Sequence, residues 1–236
     1  DVPSDAPRLH AHRNKGERSR RYCARQGHAR GQPAPFPATP FASYQSQRLR
    51  CVERFVFYFP YAEIRFAPMF HTNGGLTYEE VVETVLEGLN SNPKTKINLI
   101  LCMMRGLPKE NNLKTIDVAE KYLNRGVCCL DLAGAEDKYP LDEYLELFEI
   151  AKNKKIPFII HAGENGNADE VKKAILIGAK RIGHGIHSIE SNEVLNLIKE
   201  KNILLEVCPT SNVQTNSIDS YKNHPIEKIY KLGIPI

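Results

Sequence analysis

The sequence contains no tryptophan, only three methionines and no apolar run that approaches the roughly 20 residues needed to cross a bilayer. We therefore expect no membrane partner, and because no signal peptide opens the sequence we expect a cytoplasmic protein. None of the six cysteines forms a CxxC pair, which argues against a zinc ribbon or a disulfide framework and favours reduced thiols. Cys128 and Cys129 are adjacent on a predicted strand and should point to opposite faces. The dinucleotide-binding fingerprint GxGxxG is also absent.

Charge is distributed unevenly along the chain. Residues 1–50 carry nine Arg and one Lys against three acidic residues, a balance of +7, so the net charge of +4 leaves −3 for residues 51–236. We predict that residues 1–50 are a basic segment that is disordered or misassembled, and that residues 51–236 form the folded domain. A nucleic-acid-binding arm is the weaker alternative, because it depends on composition alone.

From Tyr61 onward, short apolar runs alternate with amphipathic segments. The segment Ile156–Ile160 is apolar on successive residues, which is typical of a strand covered on both faces in a parallel sheet. The predicted strands are Tyr61–Ala67, Ile97–Met103, Val127–Leu132, Ile156–His161, Arg181–His184, Ile203–Cys208 and a run that begins at Ile234.

The segments between these runs have helical patterns. Thr77 and Glu80 form a predicted capping box, with apolar residues at helical spacing after it. Gly126, Gly178 and Gly233 stand where a helix should end and a strand begin, the position of a left-handed residue.

This βα series favours a (β/α)₈ TIM barrel over an open doubly wound sheet. The barrel requires one more strand before Tyr61, and the strand that begins at Ile234 is cut off. The predicted barrel is therefore incomplete.

Polar side chains with catalytic capacity gather where the apolar runs end, which in a barrel is the catalytic face. His161 ends one run and Glu164 follows after a short turn, an arrangement that suits a metal-binding imidazole beside a carboxylate; a histidine satisfied by the backbone is the alternative. His184 ends the next run between two glycines, which either leave room for a small molecule or form a tight turn. Asp131 is either a catalytic acid or a residue that orders its neighbours.

Five motifs resemble the signatures of the adenosine deaminase family, in the family's order and near its spacing. The similarity covers about residues 58–236 and implies a (β/α)₈ deaminase barrel over residues 51–236, with one zinc ion at its C-terminal mouth. The motifs are Tyr61–Pro68, Asp131–Gly134, His161–Glu164, Arg181–Gly185 and Leu205–Asn212.

The resemblance implies a role for each site residue. His161 matches a zinc ligand, and Gly134 matches the backbone contact to the purine ring. Glu164 matches the acid that protonates purine N1, a general-acid role worth roughly 10²–10⁴ in rate. His184 matches the histidine that orients the zinc-bound water, whose pKa zinc brings from 15.7 to roughly 7.

The family's zinc site also requires an HxH pair and an aspartate on the eighth strand. His10 and His12 match the pair, since the imidazoles of an HxH on a strand share one face; a disordered arm in which they bind nothing is the alternative. The family continues a stretch like Gly233–Ile236 into two adjacent aspartates, which this sequence does not contain. We therefore expect a loss of activity and poor solubility.

The resemblance implies zinc-dependent hydrolytic deamination of adenosine, and of deoxyadenosine, to inosine and ammonia. The expected partner is a small-molecule purine nucleoside. The alternatives are an adenine or AMP-type deaminase, and a catalytically inactive purine-binding fragment. His71, His187 and His224 lie outside the motifs and are interpreted as ordinary loop or helix histidines.

Overall fold

The computed structural model describes residues 60–90 and 95–236. The predicted character of residues 1–50, the predicted first strand, and His10 and His12 lie outside the described residues. Within the described part no helix combines the length and the apolar character needed to span a membrane.

The described chain forms one parallel sheet of six strands, joined by helical connections. The strands follow one another in the sheet in chain order, and each pairs in parallel with the next. This arrangement of parallel strands and crossover helices is an incomplete (β/α)₈ barrel, as predicted. The strands are β1 (Tyr61–Phe66), β2 (Lys96–Met104), β3 (Val127–Ala133), β4 (Phe158–Ala162), β5 (Arg181–His184) and β6 (Leu204–Glu206).

Seven α-helices occur among the described residues, and short 3₁₀ turns precede or follow several of them. The helices are α1 (Tyr78–Asn90), α2 (Lys109–Tyr122), α3 (Leu145–Asn153), α4 (Ala168–Ile177), α5 (Asn192–Lys201), α6 (Pro209–Gln214) and α7 (Ile226–Lys231). The 3₁₀ turns are Pro68–His71, Leu141–Tyr144, Ile186–Glu190 and Tyr221–Asn223.

The predicted capping box is present at the start of α1. The Glu80 carboxylate accepts from the Thr77 backbone N–H at 2.7 Å, and the Thr77 hydroxyl oxygen accepts from the Glu80 N–H at 3.2 Å. These reciprocal bonds satisfy two donors that lack an intrahelical partner.

Two of the three predicted left-handed glycines directly follow a helix. Gly178 (φ 119°) ends α4, and Gly233 (φ 73°) follows the residue that caps α7. Gly126 is also left-handed (φ 109°) but lies further past the end of α2, where a Cβ atom would stand 2.4 Å from a Leu86 methyl group. There the requirement for glycine comes from packing against α1 as well as from the turn.

The last residues of the sequence lie beside β6. Leu205 N–H donates to the carbonyl oxygen of Pro235 at 3.0 Å, so the run predicted to begin at Ile234 enters the sheet next to β6. The segment is too short to be assigned as a strand.

The two faces of the sheet bury different chemistry. On the face covered by helices, Leu101, Leu130, Ile160 and Ile182 are fully buried in the main apolar core. The opposite face, which lines the barrel interior, has a small apolar cluster of Ile100, Cys129 and Ile159. The same interior face also carries the charged side chains of Arg65, Asp131 and Arg181.

The expectation that Cys128 and Cys129 point to opposite faces is wrong. Their sulfur atoms lie 3.9 Å apart. The register between β2 and β3 shifts there, from Leu99 opposite Val127 to Ile100 opposite Cys129, so Cys128 is the extra residue of a β-bulge. The four described cysteines, Cys102, Cys128, Cys129 and Cys208, are free thiols.

Candidate active site

Side chains from β3, β4 and β5 converge at the carboxyl ends of these strands. Asp131 lies on β3, His161 on β4 and His184 at the end of β5. His161 and His184 contact each other with ring centroids 5.1 Å apart in an edge-on arrangement. The parallel register brings these positions to one end of the sheet, as the sequence predicted.

His161 is oriented by a buried carboxylate. Its Nδ1 atom lies 2.9 Å from Oδ1 of Asp131, which is fully buried, while Oδ2 of Asp131 accepts from Arg65 at 2.8 Å. A buried carboxylate flanked by a guanidinium is an acceptor, so Nδ1 of His161 carries the proton and Nε2 presents its lone pair. This is the pattern by which carboxylates orient metal-binding imidazoles.

The charge of Asp131 belongs to a ladder of ion pairs along the barrel interior. Arg65 also pairs with Glu206, and Glu206 in turn accepts from Nε of Arg181 at 2.6 Å. Arg181 contacts Glu63 at 2.5 Å. Burial opposes the charge on Arg65, but Asp131 and Glu206 outweigh it and raise the pKa of its guanidinium. The ladder thus places the paired carboxylate of Asp131 between Arg65 and His161.

Glu164 lies in the loop after β4, and a second carboxylate shapes that loop. Glu136 is buried and accepts from four successive backbone N–H groups, those of residues 163–166, at 2.7–3.2 Å. Successive amides aimed at one carboxylate fix the loop backbone and thereby the direction of the Glu164 side chain. Oε1 of Glu164 lies 3.1 Å from the Thr215 hydroxyl.

Arg105, which follows β2, bonds the backbone of β4 and of the loop after β3. Its guanidinium donates to the carbonyl oxygens of His161 at 2.9 Å and Tyr139 at 2.6 Å. Burial lowers the pKa of Arg105, and Glu136 counteracts this.

Gly134, the predicted purine contact, is left-handed (φ 111°) and packs so closely that a Cβ atom would lie 3.2 Å from the backbone nitrogen of Arg105. Its backbone is exposed at the end of β3.

His184 has a strained backbone and a fully engaged ring. Its φ is +65°, a left-handed conformation that is uncommon outside glycine and occurs often at functional sites. Nδ1 lies 2.9 Å from Nδ2 of Asn212, and Nε2 lies 3.5 Å from Oε2 of Glu164. Burial lowers the pKa of His184, although Glu164 opposes this, so the neutral ring is favoured.

The glycines that flank His184 serve packing. A Cβ atom on Gly183 would lie 2.8 Å from Cγ and Nδ1 of His161, and one on Gly185 would lie 2.8 Å from a Leu205 methyl group. The space beside both glycines is therefore filled by protein side chains. Packing therefore requires glycine at both positions, and the approach of a small molecule to the His184 ring stays a prediction.

The structure brings together Asp131, His161, Glu164 and His184, and places Gly134 at the end of the strand that carries Asp131. Among residues 60–90 and 95–236 no group of three or more His, Cys, Asp or Glu side chains is arranged to hold a metal ion. His161 is thus the single predicted zinc ligand within the described residues, since His10 and His12 lie outside them.

Sequence reasoning missed several residues that build the site. Arg65, Glu206 and Asn212 stand inside the motifs, but nothing in the sequence assigned them a contact. Glu136 and Arg105 lie in loops outside any motif. His224, interpreted as an ordinary histidine, is buried and donates to Asn212. A polar residue in a loop gives no sequence signal of burial, so tertiary structure was needed to find these contacts.

Comparison with known proteins agrees with this geometry. The sequence model of the adenosine deaminase family matches residues 58–236. An adenosine deaminase from Clostridium acetobutylicum is 43% identical over 181 residues, which are 75% of this chain and 54% of that protein.

Two solved structures that superpose on this chain are deaminases. The adenine deaminase from Arthrobacter aurescens superposes with a TM-score of 0.70 at 25% identity, covering 81% of this chain and 60% of that one. The N6-methyl-AMP deaminase from Arabidopsis thaliana superposes with a TM-score of 0.72 at 26% identity, covering 81% and 59%.

The chain spans about half the length of the curated relatives it matches, 54% in the case of the Clostridium acetobutylicum protein. The chain belongs to the adenosine deaminase family.

Proposed function

We propose that this protein is a zinc-dependent hydrolase that deaminates the 6-amino group of a purine nucleoside, converting adenosine to inosine and ammonia. The observation that carries the proposal is the convergence of Glu164, His184 and an Asp131-oriented His161 at the carboxyl ends of neighbouring strands. The curated relative at 43% identity is an adenosine deaminase, which supports adenosine as the substrate.

His161 fits the role of a zinc ligand. Its Nδ1–H donates a hydrogen bond to Asp131, which leaves the lone pair of Nε2 available to bind the metal. His10 and His12 are the other proposed ligands. A bound zinc ion would lower the pKa of water from 15.7 to about 7 and so supply a nucleophile at neutral pH.

Glu164 is the proposed general acid. Its side chain stands between the loop shaped by Glu136 and the ring of His184, in the place where a purine nitrogen would approach the strand ends. Transfer of its proton to N1 makes C6 electrophilic, so that the oxygen of a water molecule adds to C6. One proton of that water passes to the amino group, and the other returns to the Glu164 carboxylate as the C6–O double bond forms. Ammonia leaves from C6 as the second product.

His184 is the proposed donor to the attacking oxygen. Its Nδ1 accepts from Asn212, so its proton lies on Nε2, the atom that faces Glu164. A neutral imidazole with this proton donates a hydrogen bond to the oxygen that attacks C6 and stabilises the charge that develops on it.

The test is the ultraviolet change that accompanies conversion of adenosine to inosine, measured on the full chain with added zinc. Conversion by the wild-type chain would support the proposal and would show that the loss of activity expected from the missing aspartates is not complete. Glu164→Gln should then reduce kcat by at least about 10²-fold, whereas Glu146→Gln, an exposed carboxylate paired with Lys109, should keep the wild-type rate. A wild-type chain that binds zinc and adenosine but forms no inosine contradicts catalysis and leaves the purine-binding alternative.

The solved neighbours favour adenine or a nucleoside monophosphate as second candidates, since their substrates are named as adenine and N6-methyl-AMP. Competition of adenine and AMP with adenosine distinguishes these possibilities. A nucleoside site is inhibited most strongly by adenosine analogues, whereas a monophosphate site gains affinity from the 5′-phosphate.

A further inference from the structure

A chain of hydrogen bonds leads from the start of α7 to the proposed active site. The backbone N–H of Ile226 donates to Nδ1 of His224 at 3.1 Å. Nε2 of His224 lies 3.1 Å from Oδ1 of Asn212, whose Nδ2 lies 2.9 Å from Nδ1 of His184. At the end of the chain, Nε2 of His184 faces Glu164.

The first bond fixes the direction of all the others. A backbone N–H can only donate, so Nδ1 of His224 is an acceptor and the neutral ring carries its proton on Nε2. That proton is donated to Oδ1 of Asn212, which orients the amide so that its NH₂ group faces His184. Because an amide NH₂ can only donate, Nδ1 of His184 must accept.

All the linking side chains are shielded from water. Asn212 is fully buried, and His184 and His224 are 5% and 7% exposed. The backbone of Asn212 is held at both ends, since its N–H donates to Cys208 and its carbonyl accepts from Ile218. Water cannot replace either bond cheaply at such sites, so a reversed orientation would leave buried groups unpaired.

We infer that Asn212 and His224 are positioning residues that hold His184 in the tautomer protonated at Nε2. They touch neither the proposed substrate nor the reacting atoms and act through His184 alone. The consequence for catalysis rests on the proposed function. The tautomer set by this chain of hydrogen bonds makes His184 a donor to the attacking oxygen, whereas the opposite tautomer would present a lone pair there.

Three substitutions test the direction of these hydrogen bonds separately from the packing of the side chains. Asn212→Asp keeps the size and the acceptor for His224, but replaces the NH₂ donor by an oxygen that accepts from Nδ1 of His184. His224→Gln keeps a donor near the position of Nε2, while His224→Ala removes it and frees the Asn212 amide to turn.

The measurement is two-bond ¹H–¹⁵N correlation NMR of the full chain labelled with ¹⁵N-histidine, at about pH 8, where unperturbed imidazoles are neutral. The nitrogen shifts report directly which ring atom carries the proton, and a His184→Gln sample assigns the signals. We expect His184 and His224 to be protonated at Nε2 in the wild type. Asn212→Asp should move the His184 proton to Nδ1, and His224→Ala should give mixed tautomers that His224→Gln restores.

Protonation of His184 at Nδ1 in the wild type overturns the inference, as does an unchanged His184 tautomer in Asn212→Asp or His224→Ala samples whose far-ultraviolet circular dichroism matches the wild type. The spectra need no turnover, so they separate this inference from the proposed function. If the tautomers are as expected and no inosine forms, the proposed deamination is contradicted, but the positioning of His184 by Asn212 and His224 is confirmed. If inosine forms, Asn212→Asp should reduce kcat by about 10²-fold or more with little change in KM.

Discussion

Nδ1 of His161 lies 2.9 Å from Oδ1 of Asp131, a carboxylate with no exposed surface. The pair links the interior ion-pair ladder to the proposed metal ligand, because Arg65 bonds the other oxygen of Asp131. The carboxylate of Asp131 therefore balances the charge of Arg65 and holds the His161 ring with Nε2 directed away from Asp131. Each carboxylate oxygen of Asp131 has one of these contacts, which supports the ordering role considered from the sequence.

Replacing Asp131 by Asn should weaken zinc binding by about 10–100-fold, because the amide either donates to Nδ1 and reverses the His161 tautomer or turns its NH₂ group toward the guanidinium of Arg65. The measurement is the zinc dissociation constant by competition with a chromophoric chelator. Asp142→Asn is the matched control, since Asp142 pairs with Lys173 on the surface. Equal zinc affinity in Asp131→Asn and the wild type would show that the carboxylate does not orient a ligand.

Glu136→Gln should destabilise the protein by about 1–3 kcal/mol, since the introduced NH₂ group faces backbone N–H donors and leaves them unsatisfied. Oε2 of Glu136 alone accepts from three of these donors, so neither orientation of the amide satisfies all of them. Urea denaturation gives the free energy of unfolding. Glu146→Gln, at an exposed ion pair with Lys109, should change it by less than about 0.5 kcal/mol. A comparable effect of the two substitutions contradicts the loop-shaping role of Glu136.

Gly183→Ala should destabilise by about 1–3 kcal/mol because the added methyl overlaps the ring of His161. The cause can be isolated with a double-mutant cycle, since His161→Ala removes the atoms that the methyl would meet. We expect Gly183→Ala to be much less destabilising in the His161→Ala background. Additive changes in the free energy of unfolding would place the strain elsewhere.

Stability should decrease below about pH 6.5, in part through His224, because burial lowers the pKa of this histidine from its ordinary value of 6.5. Below pH 6.5 the unfolded chain takes up a proton that the folded chain refuses. The free energy of unfolding therefore falls as pH drops through the folded-state pKa and is fully present above 6.5.

Urea denaturation between pH 8 and pH 5 measures this dependence. The decrease should be smaller for His224→Gln than for the wild type. An identical pH dependence in wild type and His224→Gln would contradict a buried neutral His224.

The amino-acid sequence alone determined the order and approximate limits of the described strands, since apolar runs bounded by helical patterns leave few alternatives to a parallel βα series. It also determined that His161, Glu164 and His184 would meet, because the carboxyl ends of parallel strands share one end of a barrel. The capping box at Thr77 was predictable because its contacts join residues within one helical turn.

Contacts between distant parts of the chain were decided by the tertiary structure. The bulge that brings Cys128 and Cys129 together depends on the register against β2, which a strand's own sequence does not specify. Glu136 and His224 lie in loops, and their burial follows from what packs over them. A periodic pattern reports only which face an element buries; which polar groups meet inside, and which way each hydrogen bond points, is settled when the strands and loops close around them.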